Sequence, residues 1–120
     1  MRFKVFLELG RKFQREFKKL HKKYPTLKGD LAQLSETLYA QPKTGIPLGN
    51  NTYKIRLAIK SKGKGKSGGA RVISYVETEI IGVIENNTVT LLSIYDKSEI
   101  PSITKEEIDS LIEELLREKK

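Results

Sequence analysis

The stretch YKIRLAIK, residues 53–60, alternates strictly in side-chain character. A period of two commits these residues to a β-strand. Tyr53, Ile55, Leu57 and Ile59 then point one way, and Lys54, Arg56, Ala58 and Lys60 point the other. Any fold containing this strand must bury the first face against something apolar. The second face presents cations about 7 Å apart along the strand, close to the spacing of phosphates on a single nucleic-acid strand.

The rest of the charge follows this strand. From Thr37 to Val76 there is no Asp or Glu, and the window holds eight cations: Lys43, Lys54, Arg56, Lys60, Lys62, Lys64, Lys66 and Arg71. The chain as a whole carries 23 Lys and Arg against 15 Asp and Glu, so this window accounts for the entire net charge of +8. Charge concentrated in this way marks a site for phosphates, with a solvated, solubilising surface as the alternative.

The chain's 120 residues fit one domain, with room for one core. The absence of cysteine excludes disulfides and thiolate metal sites and suits a reducing cytoplasm. Lys4 and Glu8 interrupt the N-terminal segment, which lacks the apolar centre of a signal peptide, and no apolar run is long enough to cross a membrane.

Phe3–Leu7 reads as a short strand. Phe13, Phe17, Leu20 and Tyr24 form the apolar stripe of a helix over 11–24 that Pro25 closes. A second helix spans roughly 29–40, capped by Asp30 and buried through Leu31, Leu34 and Leu38. The short connection between the two helices makes an antiparallel hairpin. Residues 41–51, rich in Pro, Gly and Asn, read as a loop. After the alternating strand come a strand over 70–76, an apolar run over 80–84, a turn at Asn86-Asn87 and a strand over 88–95. Thr104 and Glu107 form a capping box for a last helix whose stripe is Ile108, Leu111, Ile112, Leu115 and Leu116. The order predicts an α+β fold: an N-terminal helical hairpin beside a mostly antiparallel sheet of four or five strands, with a C-terminal helix.

Several chemistries are excluded. Gly65-Lys66-Ser67 resembles the end of a phosphate-binding P-loop, but Lys60 occupies the position of the required first glycine. A strand follows where the motif needs a helix. His21, the only histidine, lies among lysines with no carboxylate cluster nearby, which argues against a metal site and against a Ser-His-Asp hydrolase. Glu77 with Glu79 reads as a strand edge, and Glu106 with Glu107 as first-turn charges that suit a helix dipole.

The segments KIRLAIKSKGKGKSGGARVISY and LLSIYDKSEIPSITKEEI resemble the RelE/HigB superfamily of toxins from bacterial type II toxin–antitoxin modules. The shared features are, in order, a basic strand, a Lys-Gly-Lys-x-Gly-Gly-x-Arg hairpin, a strand ending in Leu-Leu-x-x-Tyr-x-Lys and an acidic closing helix. The resemblance covers about residues 45–110, is closest to the HigB-like branch and is loose over the first two helices. It departs at Ser74, where the family often has an aromatic residue, and in the long stretch from Val76 to Thr90.

The resemblance implies a RelE-like toxin domain over residues 1–120: a metal-independent, cytoplasmic mRNA endoribonuclease acting in the ribosomal A site. Its partners would be mRNA, the ribosome and a cognate antitoxin, with no cofactor and no membrane. Carried across by position, Arg71 stabilises the transition state, Arg56 holds a phosphate, Tyr95 stacks on a base or orients the phosphate, and Lys97 is the general acid or a second stabiliser. Lys54, Lys60, Lys62, Lys64 and Lys66 are the candidates for binding RNA, and a lysine of the loop is a candidate for the base. Core packing is the competing role for Tyr95, and a solvated loop tip is the competing place for Lys66. Two other functions fit the same scaffold: a non-catalytic RNA- or ribosome-binding module, and a ParE-type inhibitor of a protein target such as gyrase.

Overall fold

The structure, a computed structural model, describes residues 2–63, 65, 68–100 and 102–119. Its elements in chain order are β1 (Arg2–Leu9), α1 (Arg11–Lys23), α2 (Leu27–Ala40), β2 (Ile46–Gly49), β3 (Thr52–Leu57), a 3₁₀ turn (Lys60–Lys62), β4 (Ala70–Ile81), β5 (Ile84–Asp96) and α3 (Lys105–Glu118). The five strands form one sheet in the order β1-β5-β4-β3-β2. β1 runs parallel to β5, and every other pairing is antiparallel. This is the α+β arrangement expected of the sequence. Among the described residues no helix is long and apolar enough to cross a membrane.

The helical hairpin covers one sheet face. Phe13, Tyr24, Leu27, Leu34 and Leu38 pack with Ile55, Leu57, Ile59, Val72, Val76, Val89, Leu91 and Ile94, and Phe17, Leu20 and Leu31 fill in around them. The opposite face carries a smaller cluster in which Ile108, Leu111, Ile112 and Leu115 of α3 meet Ile73, Leu92 and Tyr95. Leu116, expected in the α3 stripe, is exposed. The Thr104 hydroxyl accepts the Glu107 backbone N–H at 3.2 Å, as an N-cap does. Lys119 reaches Glu77 at 2.8 Å and Glu8 at 3.6 Å across the sheet surface. Burial and the Glu77 charge raise the Tyr75 hydroxyl above its ordinary pKa.

Several local features differ from the sequence reading. Asn86-Asn87 is not a turn but part of β5. Asn87 is fully buried, with its side-chain oxygen accepting the Thr78 hydroxyl at 2.8 Å. The chain reverses at Gly82-Val83 instead, where Gly82 takes φ +60°, the backbone required at the first central position of a type II′ turn. The other asparagine pair makes a turn: Asn50 and Asn51, at φ 52° and 62°, join β2 to β3 as in a type I′ hairpin. Residues 41–51 therefore hold a short strand as well as a loop. α2 begins at Leu27 behind Thr26, and Asp30 lies buried in its first turn. Glu77 and Glu79 sit on β4, an interior strand and not an edge.

β3 ends at Leu57, earlier than its alternation predicts: the Lys60 and Ser61 N–H groups go to the Asp30 carboxylate and the Thr26 hydroxyl, and a 3₁₀ turn replaces the strand, while Ile59 keeps its expected place in the core. The returning chain passes so close that a Cβ on Gly69 would lie 2.1 Å from the Leu57 carbonyl oxygen. Gly63, at φ +73°, has open space around it. Gly69→Ala is therefore expected to lower the melting temperature well beyond Gly63→Ala, which meets only the left-handed backbone cost of about 1 kcal/mol. Thermal denaturation of the two variants by circular dichroism checks the order.

Candidate nucleic-acid interface

The register of β3, β4 and β5 sets three of the predicted residues in one row. Arg56 pairs with Arg71, and Arg71 pairs with Tyr95. Partners directly opposite in an antiparallel pair share a face, so all three stand on the α3 side of the sheet. Lys54, two residues along β3, stands on the same face opposite Ile73. The register thus sets two guanidinium-bearing residues next to each other on this face.

A bulge aims Tyr95 into this row. The β4–β5 register shifts between Ile73 and Ser74, so that Leu92 and Ser93 both lie opposite Ile73. Before the bulge, Val89 and Leu91 face the helical hairpin; unbroken alternation would send Tyr95 there too. The extra residue exchanges the faces. Ile94 joins the hairpin-side core, and Tyr95 joins Ile73 and Ile108. Re-aiming a side chain is a recurrent use of bulges. Glu16 of α1 satisfies the irregular backbone, accepting the Ser93 hydroxyl at 2.8 Å and the Ile94 N–H at 3.3 Å.

The exposures within the row differ. Arg56 is exposed and enters no ion pair among the described residues. Arg71 is only 4% exposed, and its guanidinium donates to the Ala70 carbonyl at 3.1 Å. The Tyr95 ring is buried in the α3-side cluster, while its hydroxyl has no hydrogen-bond partner among the described residues. Beside the row, a groove of about 150 Å³ separates α3 from the β2–β3 hairpin; Thr52, Lys54, Ile73, Lys105 and Ile108 are among its walls.

The remaining candidates are dispersed. Lys97 is exposed just past the end of β5, with its backbone N–H on the Gly69 carbonyl at 3.2 Å. Lys60 is exposed at the start of the 3₁₀ turn, and its backbone N–H donates to the buried Asp30 carboxylate at 3.2 Å. Lys62 turns inward. Its ammonium forms an ion pair with Asp96 at 2.5 Å and donates to the Ser98 hydroxyl at 3.0 Å, with the side chain 8% exposed. Lys64 and Lys66 lie outside the described residues. Among the described residues no three His, Cys, Asp or Glu side chains gather as a metal would require.

The residue that sequence reasoning missed is Asp96. Its carboxylate is 1% exposed and takes four bonds: Lys62 Nζ, the Ser98 N–H and the Ser98 hydroxyl on one oxygen, and the Tyr24 hydroxyl at 2.7 Å on the other. The Tyr24 ring also lies 5.6 Å from the Lys62 ammonium. One signal was available, since Asp96 is the only acid between Thr88 and Ser98, flanked by Tyr95 and Lys97. Burial alone would raise its pKa. The Lys62 ammonium, then the Ser98 and Tyr24 donors, outweigh burial and hold the carboxyl well below the usual carboxylate range.

Comparison with known proteins finds likeness in structure only. No family model matches the chain, and no curated protein matches its sequence. Among solved structures, a double arginine-to-alanine mutant of the E. coli toxin RelE in the free state is similar, with a TM-score of 0.54 and 17% identity, covering 82% of this chain and 88% of that one. The fold is therefore the RelE-like one.

The Asp96 cluster gives a pH prediction. Because the folded carboxyl has the lower pKa, the unfolded chain binds more protons as the pH falls through the unfolded value near 4. The stabilisation is complete above about pH 5 and drains away below about pH 4. Asp96→Asn should cost about 3 kcal/mol at neutral pH by leaving the Lys62 ammonium buried without its counter-charge. It should also flatten stability between about pH 5 and pH 2; urea denaturation across that range measures both.

Proposed function

We propose that this protein is the toxin of a toxin–antitoxin module and a metal-independent endoribonuclease that cuts mRNA in the ribosomal A site. The observation that carries the reading is the row Arg56–Arg71–Tyr95, on the cationic face of a sheet whose fold is that of a RelE toxin. The chain's own motifs, from the basic strand through the Gly-Gly-x-Arg hairpin to Tyr-x-Lys, supply the likeness to the HigB-like branch.

RNA can be cleaved by its own 2′-OH. A base, the role open to a lysine of the loop, takes the proton of that hydroxyl as its oxygen attacks the adjacent phosphorus; the 5′-oxygen leaves with a proton from an acid, and the charge that builds up on the phosphorane must be met. Stabilising such charge is usually the largest catalytic contribution, and the planar fork of arginine suits it. Arg56, being exposed, meets the phosphate first. Arg71 joins it when the groups covering its guanidinium give way, and Tyr95 orients the phosphate through its hydroxyl. Lys97, exposed just past the end of β5, acts as the general acid for the leaving group or as a second stabiliser of the charge. With Lys62 held by Asp96, RNA binding falls to Lys54 and Lys60 together with Lys64 and Lys66. The ribosome supplies orientation by holding the message in place. A cognate antitoxin binds and silences the protein.

The burial of Arg71 and Tyr95 favours a second reading, in which the same face binds RNA or the ribosome without cutting. The two diverge in one assay. Purified protein is added to translated mRNA on ribosomes stalled with an empty A site, and to the same RNA free. Cleavage should require the ribosome and fall about a hundredfold or more in Arg56→Ala and Arg71→Ala, with the melting temperature of the exposed Arg56 variant unchanged. Salt-sensitive RNA binding with no product would establish the binding module instead. Full cleavage by both variants would remove the site.

A further inference from the structure

The two edges of the sheet are built differently. β2 has four residues, contains Pro47 and is broken by a register shift, all of which blunt an edge against pairing. β1 has eight residues, no proline and an unbroken register from Arg2 opposite Ile84 to Leu9 opposite Leu91. Its outer side has no partner strand among the described residues. Phe3, Phe6 and Leu9 stand 47%, 52% and 43% exposed along it.

The backbone shows which groups face outward. The Arg2 N–H donates to the Val83 carbonyl and the Gly10 N–H to the Leu91 carbonyl, so the even-numbered residues of β1 bond to β5. The N–H and C=O groups of Phe3, Val5, Leu7 and Leu9 are therefore the ones left for a further strand.

We infer that β1 pairs with β1 of a second copy of this chain, antiparallel and centred on Phe6, forming a two-fold symmetric dimer with a continuous ten-stranded sheet. In this register Phe3 lies opposite Leu9 and Val5 opposite Leu7, and these are the outward-facing residues. They and their symmetry mates close about eight main-chain hydrogen bonds. The non-hydrogen-bonded positions, where side chains approach most closely, put Phe6 against Phe6 on the axis and Lys4 against Glu8 on either side. Each exposed apolar side chain of β1 thus meets another, and Lys4 meets Glu8. Centring on Val5 instead would set Lys4 against Phe6 and close fewer bonds. Such self-complementarity is what an isologous interface demands. The pairing leaves the cationic row open, since β1 ends opposite Leu91 and Tyr95 lies beyond it.

The test uses the intact chain, which has no cysteine of its own. Sedimentation over a concentration series should show a monomer–dimer equilibrium. Lys4→Glu should weaken the dimer about tenfold by setting a second carboxylate against Glu8, and Lys4→Glu combined with Glu8→Lys should restore it, both in a Lys119→Ala background because Lys119 reaches Glu8 at 3.6 Å within the chain. Phe6→Cys should oxidise to a disulfide-linked dimer, because the Cα separation of about 4.5 Å at that pair lies within disulfide range. Tyr39→Cys, placed at an exposed position on α2, should not cross-link. A monomer at every concentration would overturn the inference. So would a dimer indifferent to Lys4→Glu, a double variant that fails to recover, or cross-linking of the Tyr39→Cys protein as fast as that of the Phe6→Cys protein.

Discussion

The buried carboxylate of Asp96 holds together parts of the chain with little else in common. It ends β5, anchors the 3₁₀ turn through Lys62, fixes the following turn through Ser98 and ties down the C-terminus of α1 through Tyr24. The segment leaving the 3₁₀ turn is rich in glycine, which is costly to order because glycine loses the most conformational freedom on folding. A second tether acts on the same turn, where the Ser61 N–H donates to the Thr26 hydroxyl at 2.8 Å and the Lys60 N–H to Asp30. Together they fix the start of the loop while its far end is set by the close passage of Gly69 over Leu57. A buried ion pair is a weak source of net stability, since desolvation consumes much of the Coulombic gain. Its stronger effect is positional. Lys62 cannot leave Asp96 without stranding a buried charge, so the loop begins from one place.

That anchoring matters because the two sheet faces serve different ends. The hairpin side is conventional core. The α3 side is divided: Ile73, Leu92 and Tyr95 pack under Ile108, while Arg56, Arg71 and Lys54 gather positive charge beside them. Arg56 and Arg71 stand opposite one another there, in a stretch of sequence without an acid. Positive charge gathered on one face raises the local potential and draws anions towards it.

How much of this the sequence revealed depends on the range of the interaction. Stripes repeating every three or four residues identified α1 and α3, and period-two alternation identified β3, because both patterns are written along the chain. The turns were less legible. Two Asn-Asn pairs are present, and each tolerates positive φ. Asn50-Asn51 uses that tolerance, whereas Asn87 spends its amide on Thr78, Glu85 and Lys4 inside a strand. The choice was made by Gly82, which supplies positive φ without a side chain and leaves Ile81 opposite Ile84. Lys62 looked equivalent to its neighbours because nothing local distinguishes a lysine bound for solvent from one bound for a carboxylate 34 residues away.

The bulge at Leu92 lies furthest from what periodicity can show. Leu-Leu-Ser-Ile-Tyr-Asp reads as uninterrupted strand, and in an uninterrupted strand Tyr95 would share a face with Leu91 and turn away from Arg71. Because the period is two, one extra residue reverses every side chain that follows. The same insertion that brings Tyr95 to the cationic face sends Ile94 and Asp96 to the hairpin side, where Asp96 meets Tyr24 and Lys62. A single backbone irregularity, stabilised from below by Glu16, therefore sets both the composition of the candidate site and the clamp on the turn at Lys60–Lys62. The Arg-Tyr row and the Asp96 cluster are two consequences of one register shift, and neither could be altered through the bulge without losing the other.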